Sequence, residues 1–113
     1  MLKKLLLIIV LIGAVIPVYK LHNRVTVTAV ADILLDRGVL QYIERENAGY
    51  PFEKVRGMLK GDIVIGNLEG PVSYRGYPLP KVYTFRFSPA ALSSVKRAGF
   101  NVLNLANNHS LDF

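Results

Sequence analysis

The strongest constraint on this chain is an alternation of short β-type runs with helical stretches, in which the β-type runs lead into polar residues able to ligate an ion. The first run, residues 25–30, alternates β-branched side chains and ends at Ala31-Asp32. A helix is expected over residues 38–46, with Val39, Leu40 and Ile43 on one face, and Asn47 to Pro51 breaks it. Phe52, Val55 and Leu59 at helical spacing predict a second helix over residues 52–59, stopped by Lys60-Gly61. Residues 62–65 read as a short apolar strand leading into Gly66-Asn67-Leu68-Glu69-Gly70-Pro71. A loop rich in Gly, Pro and Tyr follows over 71–80, and a further strand is expected over 82–87. A helix over 89–98 ends at Gly99, and a last strand over 100–106 runs into Asn107-Asn108-His109. Strands alternating with helices predict an α/β fold with a largely parallel sheet.

On that arrangement Asp32, Glu69 and His109 each fall just past the carboxyl end of a β-run. In open α/β sheets ligands bind outside that edge. Two carboxylates, an amide and an imidazole brought there suit a hard or borderline divalent cation such as Mn, Mg, Fe or Zn. Each residue alone has a plainer reading. Asp32 would cap the following helix, Glu69 would be a solvated loop residue, and Asn107-Asn108 would be a turn carrying an incidental His109.

Charge narrows the partners. The chain carries a formal +6, but Lys3, Lys4, Lys20 and Arg24 are unopposed by any acid in the first 24 residues. Residues 25–113 hold 10 basic and 8 acidic side chains, so composition indicates no nucleic-acid surface. With no cysteine, disulfides and zinc–thiolate sites are excluded, and any bound metal has oxygen and imidazole ligands.

Residues 5–18 form an unbroken apolar, Gly and Pro segment flanked by Lys3-Lys4 and by Tyr19, Lys20, His22 and Arg24. At about 1.5 Å per residue it reaches about 21 Å, short of a hydrocarbon core of about 30 Å unless Tyr19, Leu21 and snorkelling lysines extend it. Residues 1–24 are expected to be a signal anchor or a signal peptide. The lack of a small-residue cleavage site favours an uncleaved anchor, with the folded part exported and held at the cell membrane. A buried core helix is disfavoured, because the segment has no polar face.

Four stretches carry a family resemblance: Ala31-Asp-Ile-Leu-Leu-Asp-Arg-Gly38, Asp62-Ile-Val-Ile-Gly-Asn-Leu-Glu-Gly-Pro71, Phe85-Arg-Phe87 and Ala98-Gly-Phe-Asn-Val-Leu-Asn-Leu-Ala-Asn-Asn-His109. They resemble, in order and over residues 25–113, the bacterial capsule-synthesis CapA family. That family is associated with poly-γ-glutamate production and has a calcineurin-like metallophosphoesterase fold. The resemblance implies that residues 25–113 are the N-terminal half of a two-sheet sandwich flanked by helices, with metal ligands on strand-end loops.

It further implies Asp32 as the first-motif aspartate, Asn67 and Glu69 in the second motif, and Asn108-His109 as the metallophosphoesterase Asn-His pair. Asp32, Glu69 and Asn108 would then bind metal. His109 would protonate a leaving group or stabilise the transition state. Arg37 falls where the family commonly has arginine, either a contact to an anionic substrate or a solvated residue at a helix start. Two departures are visible. Ala31 stands where the family usually has glycine, and Ala takes positive φ less freely. The family also continues into a second half with further histidine ligands, whereas no histidine follows His109 and His22 belongs to the tail, so the expected metal site is incomplete.

Two functions follow from the resemblance. One is metal-assisted hydrolysis or transfer at a phosphate ester or amide. The other is a non-catalytic, membrane-anchored component that exports or retains an anionic capsule polymer, or its precursor, with other capsule-synthesis proteins. A third expectation is an inactive truncated remnant, or one piece of a split gene.

Overall fold

The computed structural model describes residues 24–113. The apolar segment over 5–18 and His22 lie outside the described residues. Among the described residues no helix is long and apolar enough to cross a membrane.

Three parallel strands form one sheet in the order β1 (Val27–Ile33), β2 (Ile63–Leu68) and β3 (Val102–Asn104). Helix α1 (Arg37–Arg45) follows β1, and helix α2 (Leu92–Ala98) precedes β3. Parallel neighbours need crossovers long enough to return the chain to the same end of the sheet, and helices fill both crossovers here.

β2 is central, and Val64, Gly66 and Leu68 on one of its faces are buried. Ile33, Leu35, Leu59, Phe87, Ala91, Val95, Ala98 and Phe100 complete the core with Val64 and Leu68. Gly66 is required for this packing. A Cβ there would lie 2.6 Å from Ile33 Cδ1 and 3.1 Å from Phe100 Cε1. Register puts Val27, Ala29, Ile63, Ile65 and Val102 on the opposite face, where Val27 is 60% and Val102 40% exposed.

One irregularity interrupts the pairing of β1 with β2. Ala29 pairs with Ile65, but the next paired residues are Asp32 and Asn67, so β1 carries one residue more than β2 across this interval. A regular strand would set Ala31 opposite Asn67. The bulge instead turns Asp32 onto the face of its neighbour. Asp32 and Asn67 therefore lie within strands, not past their ends as the sequence suggests.

Three further expectations need correction. α1 is capped by Asp36, not Asp32: Asp36 Oδ1 accepts the Arg37 N–H at 2.7 Å, and Oδ2 accepts the Arg86 N–H at 3.0 Å. The helix expected over 52–59 is a 3-10 turn (Tyr50–Phe52) followed by successive turns. Gly57 disfavours helix here, and Met58 is left 76% exposed, so little burial would offset the cost. The strand expected over 82–87 is reduced to one bridge between Val72 and Phe87. The N–H groups of Phe85 and Arg86 go to the Asp112 and Asp36 carboxylates, which satisfies them without a neighbouring strand.

The helix expected over 89–98 is present as a 3-10 turn (Pro89–Ala91) continuing into α2. Ser88 Oγ accepts the Ala91 N–H at 3.2 Å, and Gly99 closes α2 at φ 110°, a left-handed conformation suited to glycine.

Candidate functional site

The site grows from one row of side chains across the carboxyl end of the sheet. Register places Asp32, Asn67 and Asn104 side by side on β1, β2 and β3. Asn67 Nδ2 donates to Asp32 Oδ1 at 2.8 Å, and Asn104 Nδ2 donates to Asn67 Oδ1 at 2.8 Å. The row is extended by the residues just beyond. Asn67 Nδ2 also donates to Glu69 Oε2, and Asn107 Nδ2 donates to Asn67 Oδ1 at 3.0 Å and to the Leu68 carbonyl at 2.9 Å. Two acceptors on its nitrogen side and two donors on its oxygen side allow the Asn67 amide one orientation.

Asn107 shapes the turn that follows. Its Oδ1 accepts the His109 N–H at 2.9 Å, the local side-chain-to-backbone bond expected of asparagine in a turn. The half-buried His109 ring then sits with Nε2 3.8 Å from Glu69 Oε1 and Nδ1 2.7 Å from Asp112 Oδ2. Its other neighbour is Phe85, with ring centroids 4.4 Å apart.

Asp112 is fully buried and gathers three partners. Besides His109 it accepts the Phe85 N–H at 2.7 Å and pairs with Lys81, whose Nζ also donates to the Asn108 carbonyl at 3.0 Å. Burial by itself would raise this carboxyl. Lys81, His109 and the Phe85 N–H outweigh it and hold the group down at about 2, from an ordinary 3.8. A carboxyl lowered in this way binds fewer protons folded than unfolded, so its contribution to stability is complete above pH ~4 and is lost as pH falls through ~2. Acid titration followed by circular dichroism is expected to show this loss between those limits, and Asp112→Ala to lack that part of it.

Each residue singled out from sequence has a place. Asp32, Asn67 and Glu69 are brought together directly. His109 joins them through Glu69 and through Asn107. Arg37 stands to one side, its guanidinium 4.8 Å from the centroid of the Phe85 ring and 5.4 Å from that of Tyr83. It is the first residue of α1 and has φ 55°, an uncommon and strained conformation for a side chain without special tolerance. Asn108 is exposed, and the amide that enters the cluster is that of Asn107.

Sequence reasoning missed Asn104, Asn107, Lys81 and Asp112 as members of the site. The spacing of Asp112 three residues beyond His109, within reach across one turn, was the available signal. Lys81 had none. Among the described residues no three of His, Asp and Glu are gathered closely enough to hold a metal ion by themselves. Asp32 and Glu69 share the same amide hydrogen-bond donor group and are oxygen donors of the right type for a hard cation, so the donor set fits one in chemistry and is partial in number.

Comparison with known proteins agrees with this arrangement in one respect, its family. The family model described as bacterial capsule synthesis protein PGA_cap matches residues 26–113. The chain is 38% identical over 106 residues to a capsule biosynthesis protein CapA of Bacillus anthracis, covering 88% of the chain and 26% of that protein. It is 33% identical over 87 residues to a PGA biosynthesis protein CapA of Bacillus subtilis (strain 168), covering 74% of the chain and 23% of that protein. The chain thus spans about a quarter of the length of these relatives.

Proposed function

The chain belongs to the bacterial capsule synthesis protein family PGA_cap, and from that premise we propose that it is an N-terminal part of a membrane-anchored, exported capsule-synthesis protein with a metal-dependent hydrolase-type site. The observation that carries the reading is the pair of carboxylates, Asp32 and Glu69, drawn to one amide at the sheet edge with His109 beside them. In this reading the three-stranded sheet is one layer of a two-sheet, metallophosphoesterase-like sandwich. Its exposed apolar face, with Val27, Ala29 and Val102, supports that placement. The apolar run over 5–18, with Lys3 and Lys4 before it, supports the anchor.

Asp32 and Glu69 would hold a divalent cation, whether Mn, Mg, Fe or Zn, together with ligands beyond those described. Such an ion, when bound, polarises a phosphate-ester or amide oxygen and lowers the pKa of water. The chain's own residues do the rest. Asn67 aligns the two carboxylates, His109 moves a proton at Nε2, and Arg37 offers an anionic substrate a planar guanidinium held over Phe85 and Tyr83.

Titration of the full chain with Mn2+ tests the reading. Weak, saturable binding is expected, lowered about tenfold or more by Asp32→Ala and by Glu69→Ala, since each removes an anionic ligand from a hard ion. Binding unchanged in both variants would overturn it.

A second reading, polymer export or retention without catalysis, has its own support. From Gly70 to Leu111 there is no acidic residue, while Arg75, Lys81, Arg86, Lys96 and Arg97 are basic. Tyr74, Tyr77 and Tyr83 are exposed in the same stretch. A surface of this kind attracts a polyanion. Polyanion binding that survives Asp32→Ala and Glu69→Ala would favour it.

A further inference from the structure

We propose that Asp112 is a positioning residue: it holds His109 as the Nδ1–H tautomer, so that Nε2 is the nitrogen turned toward Glu69 and the carboxylate row. The proposal deepens the reading of His109 as the group that moves a proton, and rests on it for its meaning in catalysis. The geometry stands on its own.

Asp112 is 0% exposed; its Oδ1 has the Lys81 ion pair and no other partner, and its Oδ2 has two. Lys81 occupies Oδ1, while the Phe85 N–H and His109 Nδ1 both approach Oδ2 at 2.7 Å. An ionised carboxylate only accepts hydrogen bonds, so the 2.7 Å contact requires the hydrogen to be on Nδ1. Nε2 is then the nitrogen that takes up and releases a proton. When it gives that proton to a leaving oxygen, the ring returns to the neutral Nδ1–H form without losing its bond to Asp112. A buried carboxylate on the far nitrogen fixes both the ring's orientation and its tautomer.

Lys81 and Phe85 contribute through Asp112. They come from the segment before α2, whereas His109 and Asp112 share the turn after β3. Asp112 therefore ties two loops together at the imidazole. An asparagine cannot replace it. Whichever way its amide is set, the NH2 group faces either Lys81 or the Phe85 N–H and His109, placing donor against donor.

The test is 15N NMR of the full chain labelled at histidine, with His22→Gln so that His109 alone is observed. The measurement is made at about pH 9, well above the ordinary imidazole range. Wild-type His109 is expected to show a protonated Nδ1 and a bare Nε2, and Asp112→Ala, which removes the acceptor at Nδ1, to shift the population toward the Nε2–H form. A solvated imidazole favours the opposite, Nε2–H form, so the wild-type spectrum decides the matter even if the variant does not fold. A major Nε2–H population in the wild type, or an unchanged spectrum in a folded Asp112→Ala, would overturn the proposal. Neither result depends on metal or turnover, so failure here is distinguishable from failure of the hydrolase reading.

Discussion

Phe87→Ala is expected to cost about 3–5 kcal/mol, the range for removing a fully buried aromatic side chain and leaving its cavity. Phe87 has no exposed surface and is the largest of the fully buried side chains. Its backbone also fastens the long segment before α2 to the chain that leaves β2. The Phe87 N–H donates to the Pro71 carbonyl at 3.0 Å, and its carbonyl accepts the Ser73 N–H at 3.1 Å. Loss of the ring would loosen a segment with no strand partners beyond the single Val72 bridge. A domain of this size has about 5–15 kcal/mol of stability in all, so the variant is expected to lose most of its folded population margin. Urea unfolding followed by circular dichroism checks this. The midpoint should fall by about 1 M or more, and by visibly less in Phe87→Leu. A midpoint within experimental scatter of the parent would show that Phe87 is not at the centre of the core.

Asn67→Asp is expected to have the second large effect, and its sign depends on pH. The substitution keeps the oxygen that accepts from Asn104 and Asn107 but replaces the nitrogen that donates to Asp32 and Glu69. Three carboxylates would then meet with no cation between them. At an effective dielectric constant of about 20, like charges about 4 Å apart repel by about 4 kcal/mol, and the exposure of Asp32 reduces this through solvent and salt. A net loss of about 2–3 kcal/mol at pH 7 is expected. Repulsion raises the carboxyl pKa values in the folded state, so the penalty grows as pH rises and is relieved as pH falls toward about 4.5. Urea midpoints at the two pH values, with Asn67→Ala as the neutral control, read this directly. Equal penalties for the Asp and Ala variants at both pH values would mean that charge at this edge is unimportant.

Sequence by itself determined the family, the α/β class and the order of the three strands along the chain. Those features are local. β-branched runs, the Gly99 stop and the short Asn-Leu-Glu-Gly-Pro and Ala-Asn-Asn-His segments each depend on residues close together in the chain. Tertiary structure decided the rest, because the deciding partners are distant. The bulge that turns Asp32 toward Asn67 exists only in the pairing of β1 with β2, and no pattern within 27–33 announces it. The 82–87 segment has strand-like composition, yet carboxylates from Asp36 and Asp112 take its N–H groups first. The same distance rule explains the site. Asn107 rather than Asn108 reaches Asn67 because the turn after β3 points one asparagine inward and the other to solvent, a choice between adjacent, chemically identical side chains. Asp112 and Lys81, 31 positions apart, meet because burying a carboxylate beside the imidazole requires a cation and an N–H to compensate it, and the folded loops supply both.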